Sequence, residues 1–182
     1  MLTLREMTVT IENQFNIHPS AYIAPSARIY GNVTIGANSS VWDGVTIRGD
    51  VEPIRIGSYT NLQENVIVHV DEGIPTHIGN HVTVGHGAIV HGAEVADYCI
   101  IGIKATVLSG AQIGTFSIVG ACALVPENKV IPHHTLVFGI PCRPAKTVSE
   151  NLEMKIRQNS QTYVDLSRLY MAKHQIPKDR QT

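Results

Sequence analysis

The sequence predicts an all-β chain wound as a parallel β-helix, with one α-helix at its C-terminal end. Three observations predict it. An apolar residue returns at every sixth position through most of the chain, breaks in that step are separated by three regular hexads, and the position two residues before the apolar one is usually small. A period of six fits neither a helical face nor one continuous strand. It fits a coil made of short strands and tight turns.

The series opens with Ile17, Ile23, Ile29, Ile35, Val41 and Ile47. It continues through Ile56, Leu62 and Val68, then Ile78, Val84 and Val90, and finally Val95, Ile101, Val107, Ile113, Val119, Val125, Ile131 and Val137. The step lengthens to nine residues at Ile47–Ile56 and ten at Val68–Ile78, and shortens to five at Val90–Val95. A three-faced prism shows this pattern when the irregular turns share one edge. Ile47, Val68 and Val90 then lie on one face, Leu62 and Val84 on a second, Ile56 and Ile78 on the third, with about eighteen residues per coil. Ala21, Ala27, Ser39, Val82, Ala88, Ala93, Cys99, Ala105, Ala111, Ser117 and Ala123 hold the position two before the apolar residue. They fill strand ends inside a narrow prism. Gly36, Gly57, Gly79, Gly102, Gly114 and Gly120 follow the apolar residue and suit corners or close contact between coils.

The repeat ends near Ile140, and Pro141, Arg143 and Pro144 read as a linker. Thr147 and Glu150 have the spacing of a capping box. Leu152, Ile156, Tyr163, Leu166 and Tyr170 then continue at helical spacing to about Lys173. Their stripe must cover the prism flank or a neighbouring subunit. Residues 1–144 are thus expected to form the β-helix and 145–182 a C-terminal helix and tail, frayed after Pro177.

Composition excludes several classes of function. A net charge of −1 over 182 residues gives no basic footprint for nucleic acid. No apolar run approaches the ~20 residues that cross a membrane. The segment MLTLREMTVTIENQ carries Arg5 and Glu6 and no hydrophobic region of a signal peptide. Three cysteines fit a reducing compartment, so a cytoplasmic location is expected. Cys99 and Cys122 read as small core fillers, and Cys142 as an exposed residue of a Pro-flanked loop. Aromatic residues make up only 5% of the chain, as suits a prism filled by Ile, Val and Ala.

The histidines carry the chemistry. His69 follows Val68 and His91 follows Val90, both in the outward position of one face on consecutive coils. Stacked strands lie ~4.8 Å apart, so the two imidazoles can reach one metal at bond lengths of ~2.0–2.1 Å. Arg48 stands one coil away on the same ladder. His86 sits two residues after Val84, on the second face, and the extended stretch between it and His91 spans ~16 Å. The spacing suggests an oligomer in which His69 and His91 of one copy meet His86 of the next, repeated at each seam of a closed threefold ring. Taken singly, each histidine also reads as a solvated turn residue. His18, His77, His81, His133, His134 and His174 show no such register and read as surface or turn residues.

Three segments carry a resemblance: RGD at Arg48–Asp50, NLQENVIVH at Asn61–His69, and VGHGAIVHG at Val84–Gly92. In this order, over roughly residues 15–145, the chain resembles the γ-class carbonic anhydrase family of left-handed β-helix proteins. The resemblance implies a homotrimer with zinc, or iron or cobalt in some members, at each subunit seam. It implies His69, His86 and His91 as the ligands, and Arg48 and Asp50 as an ion pair between subunits. It implies Gln63 as the side chain orienting a metal-bound hydroxide, with Asn61 and Glu64 beside it, and reversible hydration of CO2 to bicarbonate as the reaction. Three nitrogen ligands leave a fourth position for water, and Glu64 is a candidate proton acceptor. Only Val70 to Pro75 follows the first histidine, with Asp71 and Glu72 in it, so the chain resembles the shorter branch without the long acidic loop. In that branch a tyrosine of the C-terminal helix lies near the metal; Tyr163 is the first candidate and Tyr170 the second. Two other readings stand beside this one. One is a hexapeptide acyltransferase drawing on a coenzyme A thioester with a histidine base; the other is a metal-stabilised scaffold with little turnover.

Overall fold

The computed structural model describes residues 14–174. The N-terminal stretch read as lacking a signal peptide, apart from Gln14, and the tail after Pro177 lie outside those residues. The described chain forms a parallel β-helix of about seven coils. On the first face Ile47, Val68, Val90, Val107 and Val125 stand in register. On the second, Ile23, Val41, Leu62, Val84, Ile101, Val119 and Val137 do so. The third stacks Ile17, Ile35, Ile56, Ile78, Val95, Ile113 and Ile131. Strands Arg28–Ile35 and Thr46–Ile56 round the corner from the first face to the third. Those two faces therefore form one eleven-stranded sheet, and the second face an eight-stranded one. Every irregular step falls on the edge between the first and third faces, as the spacing requires.

The stacked residues fill the prism. Ile47, Leu62, Val68, Val84 and Val90 are fully buried, and Ala88, Ala105, Ala111 and Ser117 close the corners between them. Each such Val or Leu contributes ~1.5–3 kcal/mol. Gly36, Gly57 and Gly79 stack on one another with no room for a side chain: a Cβ on Gly57 would lie 2.6 Å from the Gly79 carbonyl carbon. Burial pushes the Cys99 thiol up to about 12, which makes it a packing group and not a nucleophile. Cys122 is exposed, not a core filler, because it occupies the corner just before the inward Ala123, with φ of 58°.

One row of corners carries a column of rings. Tyr59, His81, Tyr98, Phe116 and His134 all sit in the left-handed region, with φ of 55–59°. Their centroids follow at 4.7, 4.6, 4.8 and 5.4 Å, close to the coil rise, and Arg157 lies over Tyr98 and Phe116. Left-handed backbone costs an L-residue roughly 1–2 kcal/mol; stacking and the guanidinium offset part of it. His81 and His134 are turn residues, as expected, with their rings inside this column.

The linker expected at 141–144 is a strand. Cys142–Thr147 pairs antiparallel with Thr135–Gly139 and covers the last open strand of the second face. It crosses the expected 144/145 boundary and turns Cys142 into the end of the core, so that residue is 5% exposed and not a loop thiol. Because Thr147 belongs to this strand, it does not form the expected capping box with Glu150: helix α1 runs Glu150–His174, with Ser149 before it. The Ser149 carbonyl accepts the Glu153 N–H, and Glu150 and Glu153 place acid in the first turn.

Helix α1 lies along the second face. Ile156 and Val164 are buried together with Ser160 and Ser167, whose small side chains let the helix settle close to the corners. Ser160 donates from Oγ to the Tyr59 carbonyl at 2.9 Å and lies 3.3 Å from His81 Nδ1. Its C-terminal half rests on Trp42, which is 3% exposed and ringed by Tyr22, Tyr163 and Tyr170 at 5.2, 5.9 and 5.1 Å. Trp42→Ala is expected to remove about 3–5 kcal/mol of stability and to make the end of α1 the first point of cleavage, read by urea unfolding and limited proteolysis. Among the described residues no helix is long and apolar enough to cross a membrane.

Candidate metal centre

His69 and His91 end two short strands that pair in register on the first face. Their side chains point outward because Val68 and Val90 point inward. His69 Nδ1 lies 3.0 Å from His91 Nε2. The far nitrogen of each ring is occupied: His69 Nε2 lies 3.3 Å from Asp50 Oδ1, and His91 Nδ1 lies 2.9 Å from Ser109 Oγ. Arg48 pairs with Asp50 within the same chain, and Ser109 donates to Asp71 Oδ2 at 3.3 Å. Burial raises the Asp50 carboxyl, but hydrogen bonds from Arg48, its own backbone and His69 outweigh it and hold the group below the usual carboxylate range. Burial first and the Arg48 charge second push the His69 imidazole down, which favours its neutral form.

His86 occupies the corner between the second and first faces and is dressed in the same way. Its Nδ1 lies 2.5 Å from Glu64 Oε2, and no other ring partner is found among the described residues. Glu64 thus meets the His86 ring directly. Gln63, one coil away and 6% exposed, accepts the His86 backbone N–H on Oε1 at 3.3 Å. It donates from Nε2 to Asn61 Oδ1 at 3.2 Å. Asn61 in turn donates to Thr83 Oγ1 at 2.9 Å. Tyr163 reaches this half from α1: burial chiefly, and the Glu64 charge after it, push its phenol up. Tyr170 rests on Tyr22 and Trp42.

These residues fit a divalent cation by their chemistry. Two ring nitrogens face each other 3.0 Å apart, close to the about 3.3 Å that separates tetrahedral ligands at zinc bond lengths. Each faces its neighbour with the opposite nitrogen held by an oxygen, the arrangement that fixes a ligating tautomer. One chain supplies two such rings at one place and a third at another. Among the described residues no group of three or more His, Cys, Asp or Glu side chains is gathered for a metal ion. Sequence reasoning missed Ser109, Thr83 and Asn159. Ser109 was within reach of register, lying two residues beyond Val107 on the ladder of Val90. Asn159, which donates to Thr83 Oγ1 at 2.8 Å, gave no signal.

The family profile Bacterial transferase hexapeptide (six repeats) matches residues 16–49. The chain is 46% identical over 151 residues to a probable carbonic anhydrase of Methanocaldococcus jannaschii, covering 83% of this chain and 95% of that one. It is 35% identical to the mitochondrial gamma carbonic anhydrase 2 of Arabidopsis thaliana over 91% of its length, and spans 63% of that relative. A solved hexapeptide transferase family protein from Anaplasma phagocytophilum superposes with a TM-score of 0.83 at 33% identity, over 86% of this chain and 92% of that one. The coil register, the three histidines with their oxygen partners and these relatives agree: the chain belongs to the γ-class carbonic anhydrase family of hexapeptide-repeat β-helix proteins.

Proposed function

We propose that three copies of the chain close into a ring whose seams each hold one divalent cation, zinc foremost and ferrous or cobaltous ion as alternatives, and hydrate CO2 to bicarbonate. His69 and His91 come from one copy and His86 from its neighbour. The observation that carries this reading is the matched dressing of the three imidazoles by Asp50, Ser109 and Glu64. The outer surfaces support it. Exposed Ile67 lies beside His69, and exposed Ile103 stands one coil from His86, so both halves carry apolar surface for a partner. The second face is covered by α1, and the third presents Thr34, Arg55, His77, Glu94 and Gln112 in one outward row.

A cation held there supplies Lewis acidity, so that water loses a proton near neutral pH. The chain's own groups do the rest. Gln63, locked by its two hydrogen bonds, orients the oxygen that attacks CO2. Tyr163, a phenol that burial and then the Glu64 charge push further up, serves as a hydrogen-bond donor and not as the proton acceptor. Glu64 is half exposed, and its second oxygen passes a proton to solvent.

Stopped-flow CO2 hydration on protein of measured metal content tests the reading. Turnover that scales with bound metal is expected. A metal-bearing trimer no faster than free zinc would leave a scaffold instead. The likeness to a hexapeptide transferase gives a second reading, acyl transfer from a coenzyme A thioester, and such transfer by metal-free protein would establish it.

A further inference from the structure

Buried polar side chains link α1 to Gln63. The His86 backbone N–H can only donate, so it fixes the polarity of everything behind it. Gln63 must turn Oε1 toward His86, which sends Nε2 to Asn61 Oδ1. Asn61, 1% exposed, must then turn Nδ2 to Thr83 Oγ1. That oxygen also accepts from Asn159 Nδ2, on the helix, at 2.8 Å. Asn159 lies four residues before Tyr163, on the same face of α1.

A threonine hydroxyl can donate or accept. With Asn61 and Asn159 both donating to it, Thr83 is held as an acceptor. Without Asn159 no described residue of α1 holds the Thr83 oxygen in place. Asn61 keeps its polarity, with Nδ2 also 3.4 Å from the Val82 carbonyl, but its bond to Thr83 loosens and Gln63 is less firmly backed. We propose that Asn159 is a positioning residue for Gln63, acting through Thr83 and Asn61, so that α1 sets one side chain of the reaction centre. The inference rests on Gln63 working at that centre.

Five variants test it. Asn159→Ala is expected to lower kcat for CO2 hydration on the order of tenfold with little change in KM. Gln63→Ala should lose at least as much, and the double variant no more than Gln63→Ala alone, because a residue acting only through another adds nothing once that one is gone. Thr83→Val should match Asn159→Ala, and Thr83→Ser should restore activity. An unchanged kcat in Asn159→Ala, or losses that multiply in the double variant, would overturn the proposal. The Gln63 side-chain amide gives a readout free of activity: its NMR signals should exchange slowly in the parent and faster in Asn159→Ala. Should the metal-loaded parent hydrate no CO2, the proposed function falls, and this signal alone decides; unchanged exchange in Asn159→Ala then overturns the positioning role.

Discussion

His86→Ala is expected to strip metal from every seam and abolish CO2 hydration, while leaving the prism folded. His86 is half exposed at a corner, so stability should change by less than about 0.5 kcal/mol. His69→Ala should fail in the same way from the other half. Mixed and reassembled in equal amounts, the two variants should recover activity. A seam is whole when a His86→Ala copy supplies His69 and His91 and a His69→Ala copy supplies His86. Random assembly of a ring makes about one seam in four whole. Metal content and hydration rate near a quarter of the parent value are therefore expected from two inactive proteins. Mixtures that exchange subunits yet recover neither would show that the three imidazoles do not share a cation.

Gly57→Val is expected to cost stability on the order of 4 kcal/mol or more and to prevent soluble folding at 37 °C. The Cβ would lie 2.6 Å from both the carbonyl carbon and oxygen of Gly79 and 2.8 Å from the Asn80 nitrogen. All three are backbone atoms of the next coil. They cannot yield without losing the bond from Gly57 N–H to the Ile78 carbonyl, at 2.8 Å. Gly73→Ala is the companion measurement. Gly73 has φ of +70° and open space around its Cβ position, so only the left-handed backbone penalises alanine, by about 1 kcal/mol. Urea unfolding of the pair separates crowding from conformation. Equal losses would mean that coil contact is looser than the stacked glycines imply.

Much of this architecture was legible because the prism repeats one local rule. Each inward Ile or Val, each small residue before it and each irregular step fell where the period placed it. His69 and His91 were readable because register follows from counting. What the period does not govern was hidden. Cys142 looked like a loop residue because two prolines flank it, yet the end of the sheet drew it into an antiparallel strand. Cys122 kept the rhythm in sequence but stands at a corner one residue from the inward position. Ser160 and Ser167 face inward because a helix needs clearance over the corners, which hydrophobicity cannot report. Asn159 depends on which helix turn meets Thr83, and that is a property of docking, not of either segment alone.

Every departure from the six-residue step lies on a single edge, between the first and third faces, and Val70–Pro75 on that edge begins one residue after His69. Strands above and below such a loop keep their pairing whatever its length. The chain thus separates a region that must stay invariant in size from one that can grow beside the chemistry at little structural expense. An engineer wanting to graft a binding segment, a reporter or a gate next to that histidine has a ready place for it, and lineages of this prism can differ there in length while the scaffold stays the same.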